Sequence, residues 1–273
     1  MERLSFLSII LTIFLVSACS SDQAKLAKKR SELYFASGTQ SLLVKDYTEA
    51  LKNLLEANKL DPENDEIITN LAMAYYFKGE KDLALKELNH ALSINENNSD
   101  ARINIASIYS AEGKYQEAEE LYHRVLKDLT YDKQARTYLN LALVALKFRQ
   151  DSVQAEKYLT KALQEDENYC PAHYQLGLIR YKQRKFKKAL ESFKDSMMGT
   201  CQKTPASMFY VGSCYQELKN YDLAKSFYRD LSLQFAKSPF SSKAKSKLMS
   251  LDDSLIIHNA QQVKNVSGET PEF

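Results

Sequence analysis

The sequence has no tryptophan and, in 273 residues, only seven glycines, five prolines and four histidines. Each shortage excludes something. Scarce glycine leaves no phosphate-cradling loop, and neither GxxxxGK[ST] nor GxGxxG occurs. The histidines stand apart at His90, His123, His173 and His258, with no HExxH pair, no cysteine pair at metal-binding spacing and no nucleophile elbow. No catalytic residue, metal ligand, cofactor or small-molecule substrate is therefore expected. Charge is equally unhelpful to a nucleic-acid binder: 37 basic residues face 35 acidic ones, a formal net charge of +2. That balance gives no field to recruit nucleic acid or an anionic membrane surface. What is abundant is alanine, leucine, lysine and glutamate, which suits an all-α chain.

One segment differs from the rest. After Arg3 an apolar run extends from Leu4 to Val16, interrupted only by Ser5, Ser8 and Thr12. It is short for a membrane span and the right size for the apolar region of a signal peptide. It ends Val16-Ser17-Ala18-Cys19, which resembles the bacterial lipobox. That resemblance implies a signal peptide over 1–18, acylation of Cys19 with palmitate-type chains, and a lipid-anchored tether over 19–30. Several acyl chains, at roughly 0.8 kcal/mol per buried methylene, anchor stably where one does not. Ser20, standing where an aspartate would retain the lipoprotein in the inner membrane, implies the outer membrane, with the body in the periplasm. The alternative is an ordinary export signal beside a chance cysteine.

The body carries an internal repeat. A small residue followed twelve positions later by alanine occurs at Gly38/Ala50, Ala72/Ala84, Ala106/Ala118, Gly177/Ala189 and Gly212/Ala224, and with one residue inserted at Ala142/Ala155. The alanines recur at intervals of 34, 34, 37, 34 and 35 residues, the period of the tetratricopeptide helix–turn–helix unit. Small residues at this spacing suit the crossing of two antiparallel helices. Four residues after each alanine come Leu54, Leu88, Tyr122, Leu159, Phe193 and Tyr228, on the same helix face. Gly79 and Gly113 fit left-handed helix caps, and Pro62 marks a helix stop. The expected fold is a right-handed solenoid of six tetratricopeptide repeats over 31–238, with a capping helix over 239–256 and a disordered tail over 257–273.

In such an array the first helix of each repeat lines the concave face. Its outward slots hold Phe35, Thr69, Ile103, Leu139, Tyr174 and Phe209; then Thr39, Met73, Ser107, Leu143, Leu178 and Ser213; then Leu42, Tyr76, Ser110, Leu146, Tyr181 and Gln216. The lining is apolar and aromatic, which suits a partner that buries a hydrophobic strand or helix face. The candidate groove comprises Phe35, Leu42, Met73, Tyr76, Phe77, Ile103, Leu139, Leu143 and Tyr174, with its densest part in the first two repeats. The competing reading is that these side chains pack on neighbouring repeats. Beyond Cys19, the odd set Cys170, Cys201 and Cys214 suggests one bridge and one buried thiol in an oxidising compartment. Cys170 and Cys201 fall near one edge of the array and form the candidate disulfide, against two independent thiols; Cys214 lies within a helix.

A lipobox followed by six such repeats resembles the type IV pilus pilotin lipoproteins, the PilF/PilW-like family. The most specific likeness is the irregular join before the fourth repeat, Asp128-Leu129-Thr130-Tyr131, leading through Ala135-Arg136 to Tyr138-Leu139-Asn140-Leu141-Ala142-Leu143. Ala142 stands where that family usually has glycine. The resemblance implies a non-enzymatic protein-binding lipoprotein that helps the pilus secretin reach the outer membrane and assemble into multimers. Alternatives are a periplasmic scaffold for cell-wall enzymes and a subunit of an outer-membrane protein assembly complex.

Overall fold

A computed structural model of the chain describes the backbone of residues 2–199 and 201–266, and the side chains of 23–199 and 201–252. The side chains of Cys19 and of the expected signal peptide therefore lie outside the described residues, as does the chain from 267 onward. The described residues form two compact units, 1–132 and 133–273. All regular structure in them is helical, and among the described residues no helix is long and apolar enough to cross a membrane.

The first unit holds three antiparallel helix pairs: α1 (Glu2–Leu43) with α2 (Tyr47–Leu60), α3 (Asp65–Phe77) with α4 (Lys81–Ile94), and α5 (Ser99–Ala111) with α6 (Tyr115–Val125). The second holds α7 (Gln134–Val144) with α8 (Ser152–Glu165), α9 (Cys170–Lys182) with α10 (Phe186–Asp195), and α11 (Pro205–Glu217) with α12 (Tyr221–Gln234), followed by α13 (Pro239–Val266). These are the six pairs and terminal helix that the alanine periodicity predicts. Two boundaries differ. Helix α1 already takes in 19–30, expected as a tether, because Gln23 to Arg30 is rich in alanine, lysine and leucine and holds no breaker. Helix α13 runs past 256 into the expected tail, where no glycine or proline intervenes before Gly268.

Side-chain caps fix several starts. Asp46, Asn64, Asn98, Asp151, Thr204 and Asn220 each accept a bond from a backbone N–H in the first turn of the following helix. Pro171, Pro205 and Pro239 sit at helix starts, where the missing N–H costs nothing. Asn98 also reaches back to the previous pair. Its amide donates to Asp65 Oδ2 at 2.7 Å and Thr69 Oγ1 at 3.1 Å, while its Oδ1 accepts from Ala101 N at 2.7 Å.

The crossing slots are filled in a way the sequence only partly conveys. A Cβ added to Gly38, Gly177 or Gly212 would lie 2.6–2.7 Å from Leu54, Phe193 or Tyr228 respectively. The small residue thus makes room chiefly for the large side chain four positions beyond the alanine. Where that side chain is tyrosine, its buried hydroxyl needs a partner. Ser107 meets Tyr122 Oη at 3.1 Å, and Ser213 meets Tyr228 Oη at 3.1 Å, the same fifteen-residue offset in repeats three and six.

The intra-repeat turns share a backbone requirement. Lys45, Gly79, Gly113, Gln150, Arg184 and Lys219 all have positive φ, between 52° and 93°, and recur at the intervals of the alanines. Only two are glycine. A β-carbon in this region costs about 1–2 kcal/mol, partly offset by the greater chain entropy of unfolded glycine. Lys219→Gly is expected to stabilise the protein by about 0.5–1 kcal/mol, and Gly113→Ala to destabilise it by about 1 kcal/mol. Paired urea-unfolding curves read both signs; a destabilising Lys219→Gly would contradict the account.

The thirteen-residue spacing of repeat four also has a physical form. Helix α7 runs into a π-helical turn, Ala145–Arg149, closed by Asp151 N–H donating to Ala145 O at 3.1 Å. One wider turn absorbs the extra residue without moving the face that packs on α8.

Candidate partner-binding face

In the first unit Phe35 and Leu42 of α1 are half-buried against Ala50, Leu54, Leu71 and Ala74. Met73 and Tyr76 of α3 are likewise half-buried. Phe77 is 45% exposed. It stacks on Tyr47, with centroids 4.7 Å apart, and meets Tyr76 edge-on at 5.5 Å. The result is a three-ring aromatic corner with one open side. Tyr47 belongs to this corner and was not among the predicted residues; its place directly after the capping Asp46, across the turn from α1, was the available signal. Asn70 Nδ2 donates to Thr39 Oγ1 at 2.8 Å, linking the middle slot of α1 to α3.

Ile103 must be removed from the predicted face. It is 0% exposed, set among Ala101, Ile105, Ala106 and Ile108 on a helix buried nearly all round. Thr69, in the same slot of α3, is also buried and donates to Asp65 O at 2.7 Å. In these two repeats the first slot points into the packing between pairs, so it cannot meet a partner. Ser107 is occupied by Tyr122, as described above.

In the second unit Leu139 and Leu143 of α7 are half-buried, Leu139 against the core that includes Ala142, Leu159 and Leu176. Tyr174 is half-buried and lies edge-on to Phe193 at 5.8 Å and to Tyr210 at 6.2 Å. It is part of a longer ring network: Tyr210 stacks on Phe193 at 5.0 Å and contacts Tyr181 and Phe209, and Phe209 reaches Phe240 of α13. An extended aromatic network thus runs through repeats five and six. The rings there are spent on each other. In repeat six, Ser213 and Gln216 both serve the Tyr228 hydroxyl, the latter at 3.1 Å, which takes them out of the face.

Cys170 and Cys201 are bonded, with Cα atoms 5.7 Å apart. The bridge joins the start of α9 to the loop after α10, and beside it an apolar cavity of about 460 Å³ opens between Pro171, Tyr174, Ala206 and Phe240. Cys214 is a buried free thiol, pushed up to about 12 by burial, with Glu217 adding to the shift. Burial likewise holds the phenols of Tyr181 and Tyr228 up at about 12, so both remain neutral hydrogen-bonding groups. No cluster of three or more metal-binding side chains exists among the described residues.

The join after α6 is held by the residues that carried the family likeness. The Asp128 carboxylate accepts from Thr130 Oγ1 at 2.6 Å and Ser99 Oγ at 2.8 Å, and Tyr131 Oη donates to Asp100 Oδ1 at 2.9 Å. The bonds from Thr130 first and Ser99 next keep the Asp128 carboxyl below the usual carboxylate range.

Tetratricopeptide-repeat family models match residues 42–93, 101–137 and 206–238. The chain is 33% identical over 116 residues to the photosystem I assembly protein Ycf3 of Prochlorococcus marinus (strain MIT 9215), covering 41% of this chain and 65% of that protein. It is 26% identical over 133 residues to the type IV pilus assembly protein PilF of Pseudomonas aeruginosa, covering 49% of this chain and 52% of PilF. The chain thus spans between about half and just under two thirds of the curated relatives it matches. A solved structure of P. aeruginosa PilF superposes with a TM-score of 0.65 at 21% identity, covering 81% of this chain and 99% of that one. The crystal structure of PilW, described as a widely conserved type IV pilus biogenesis factor, gives 0.64 at 20% identity, covering 78% and 97%. The chain is built of tetratricopeptide repeats, all-helical over the described residues, and is similar to the pilus biogenesis proteins PilF and PilW and also to the photosystem I assembly protein Ycf3.

Proposed function

We propose that this chain is an outer-membrane lipoprotein, anchored through Cys19, whose first-helix face captures a protein partner of type IV pilus biogenesis. The partner is the pilus secretin, carried to the membrane and helped to form multimers. The observation that carries the reading is the half-open apolar strip of the first two repeats, Phe35, Leu42, Met73 and Tyr76, ending in the exposed edge of Phe77. Side chains that are half-buried in the free protein gain the rest of their burial on a partner, at about 25 cal/mol per Å². The similarity to PilF and PilW supports the pilus assignment, and the lipobox-like Val16-Ser17-Ala18-Cys19 supports the anchor. The role is binding, without catalysis.

Met73→Glu and Tyr76→Glu are expected to abolish partner capture while leaving far-UV circular dichroism and the melting temperature nearly unchanged. The cellular test is deletion of the gene followed by gel analysis of heat-resistant secretin multimers. Loss of multimers, restored by the wild-type chain and not by the two variants, is the expected result. Normal multimers and normal pili in the deletion strain would refute the reading.

A further inference from the structure

A second cavity in the first unit has the opposite chemistry to the apolar strip. It measures about 530 Å³ and is lined by Asn97, Arg102, Arg124, Lys127, Asp128 and Thr130. Four separate chain segments supply it: the turn after α4, the second turn of α5, the last turn of α6 and the join that follows. Three of its six side chains are cationic and one is acidic. The acid, Asp128, accepts bonds from the Ser99 and Thr130 hydroxyls and offsets one of the three cations, which leaves the lining a surplus of two positive charges. Arg102 donates to the Glu96 carbonyl, a neutral acceptor. Arg124 and Lys127 have no carboxylate partner among the described residues, although elsewhere on the unit cations do find one, as Lys81 and Lys114 do on Glu112.

We propose that this cavity binds an acidic peptide segment of a partner protein, with carboxylates on Arg124 and Lys127 and the peptide backbone on Asn97. The surplus positive charge of the lining favours an anion. Its volume and its amide select among anions. A cavity of this size accommodates a ligand much larger than a single oxyanion. The exposed Asn97 side chain both donates and accepts, which suits a peptide group and is half wasted on phosphate. A helix-terminal role for Arg124 alone, as a counter-charge to the end of α6, would explain neither the convergence of Arg102 from another helix nor the cavity.

The proposal depends on the scaffold reading only in taking the anion to be protein-borne. Its test needs no pilus component, so normal secretin multimers in the deletion strain would leave it standing. A fluorescein-labelled octapeptide of alternating aspartate and glycine is titrated with the full-length protein and followed by anisotropy. Saturable binding that weakens with added salt is expected. Arg124→Glu with Lys127→Glu should weaken it about tenfold or more, while Lys59→Glu with Lys86→Glu, an equal charge change on exposed positions of α2 and α4, should leave it within about twofold. Unchanged melting of both variants assigns the loss to the site. No binding by the wild type, equal loss in both double variants, or displacement by inorganic phosphate at equimolar concentration would each overturn the proposal.

Discussion

Phe193→Ala is expected to cost about 3–5 kcal/mol of unfolding free energy, among the largest effects of any single truncation in the second unit. Phe193 is 0% exposed, and Gly177 on the facing helix has no β-carbon so that the ring can lie where one would be, 2.6 Å away. Tyr210 stacks on one side of the ring and Tyr174 meets its edge. These neighbours are themselves tied to further rings, so they cannot collapse into the vacated space, and the cavity term stays nearly whole. Phe193→Leu should recover much of the loss, because leucine fills the same slot as Leu54, Leu88 and Leu159. Gly177→Val tests the other half of the contact: it should cost roughly 1–3 kcal/mol in the wild type, by overpacking, and less when combined with Phe193→Leu. Urea unfolding followed by circular dichroism measures all four. Additive costs in the double variant would show that the two residues do not share the slot.

The same slot shows how much of the fold was legible in the sequence. A crossing of two helices demands a small side chain at a fixed place, so the alanine and glycine ladder appears as residue identity and reveals every pair. The left-handed turn position demands only a backbone angle. At Gly79 and Gly113 that demand coincides with glycine and is readable, whereas Lys45, Gln150, Arg184 and Lys219 accept the strain and look like ordinary surface residues. The candidate face was legible only as a set of slots. Whether a slot opens to solvent depends on how closely the next pair approaches, which the sequence of one helix does not encode. Ile103 and Met73 occupy comparable outward positions by pattern, and one is sealed while the other is half-open. The serines at 107 and 213 could have been assigned to structure from sequence, since each precedes by fifteen residues a tyrosine in a buried slot. The cationic cavity was not readable at all, because its residues are scattered from Asn97 to Thr130 and meet only through the fold of the join.

Removing the bridge with Cys170→Ser and Cys201→Ser together should lower stability by roughly 3–4 kcal/mol, the loop-closure entropy of a ring of this size. The two residues are 31 apart and enclose both helices of the fifth pair, α9 and α10. In the unfolded chain the bridge restrains that whole segment. In the folded chain the two ends already lie together, because one opens α9 and the other follows α10 on the same edge of the pair. The stabilisation thus comes mainly from the unfolded side, and the serine variant should keep a native helical spectrum. A reductant separates this from any loss of packing around Cys201, which is buried beside the apolar cavity. Dithiothreitol should lower the urea midpoint of the wild type toward that of the double variant and leave the double variant unmoved. Cys214 provides the internal control, since its buried thiol should stay unreactive to maleimide until the second unit unfolds. A wild-type midpoint insensitive to reductant would mean that the bridge does not restrain the unfolded chain. A double variant that loses helicity would instead place Cys170 and Cys201 in the packing of repeat five, beyond their role as a covalent link.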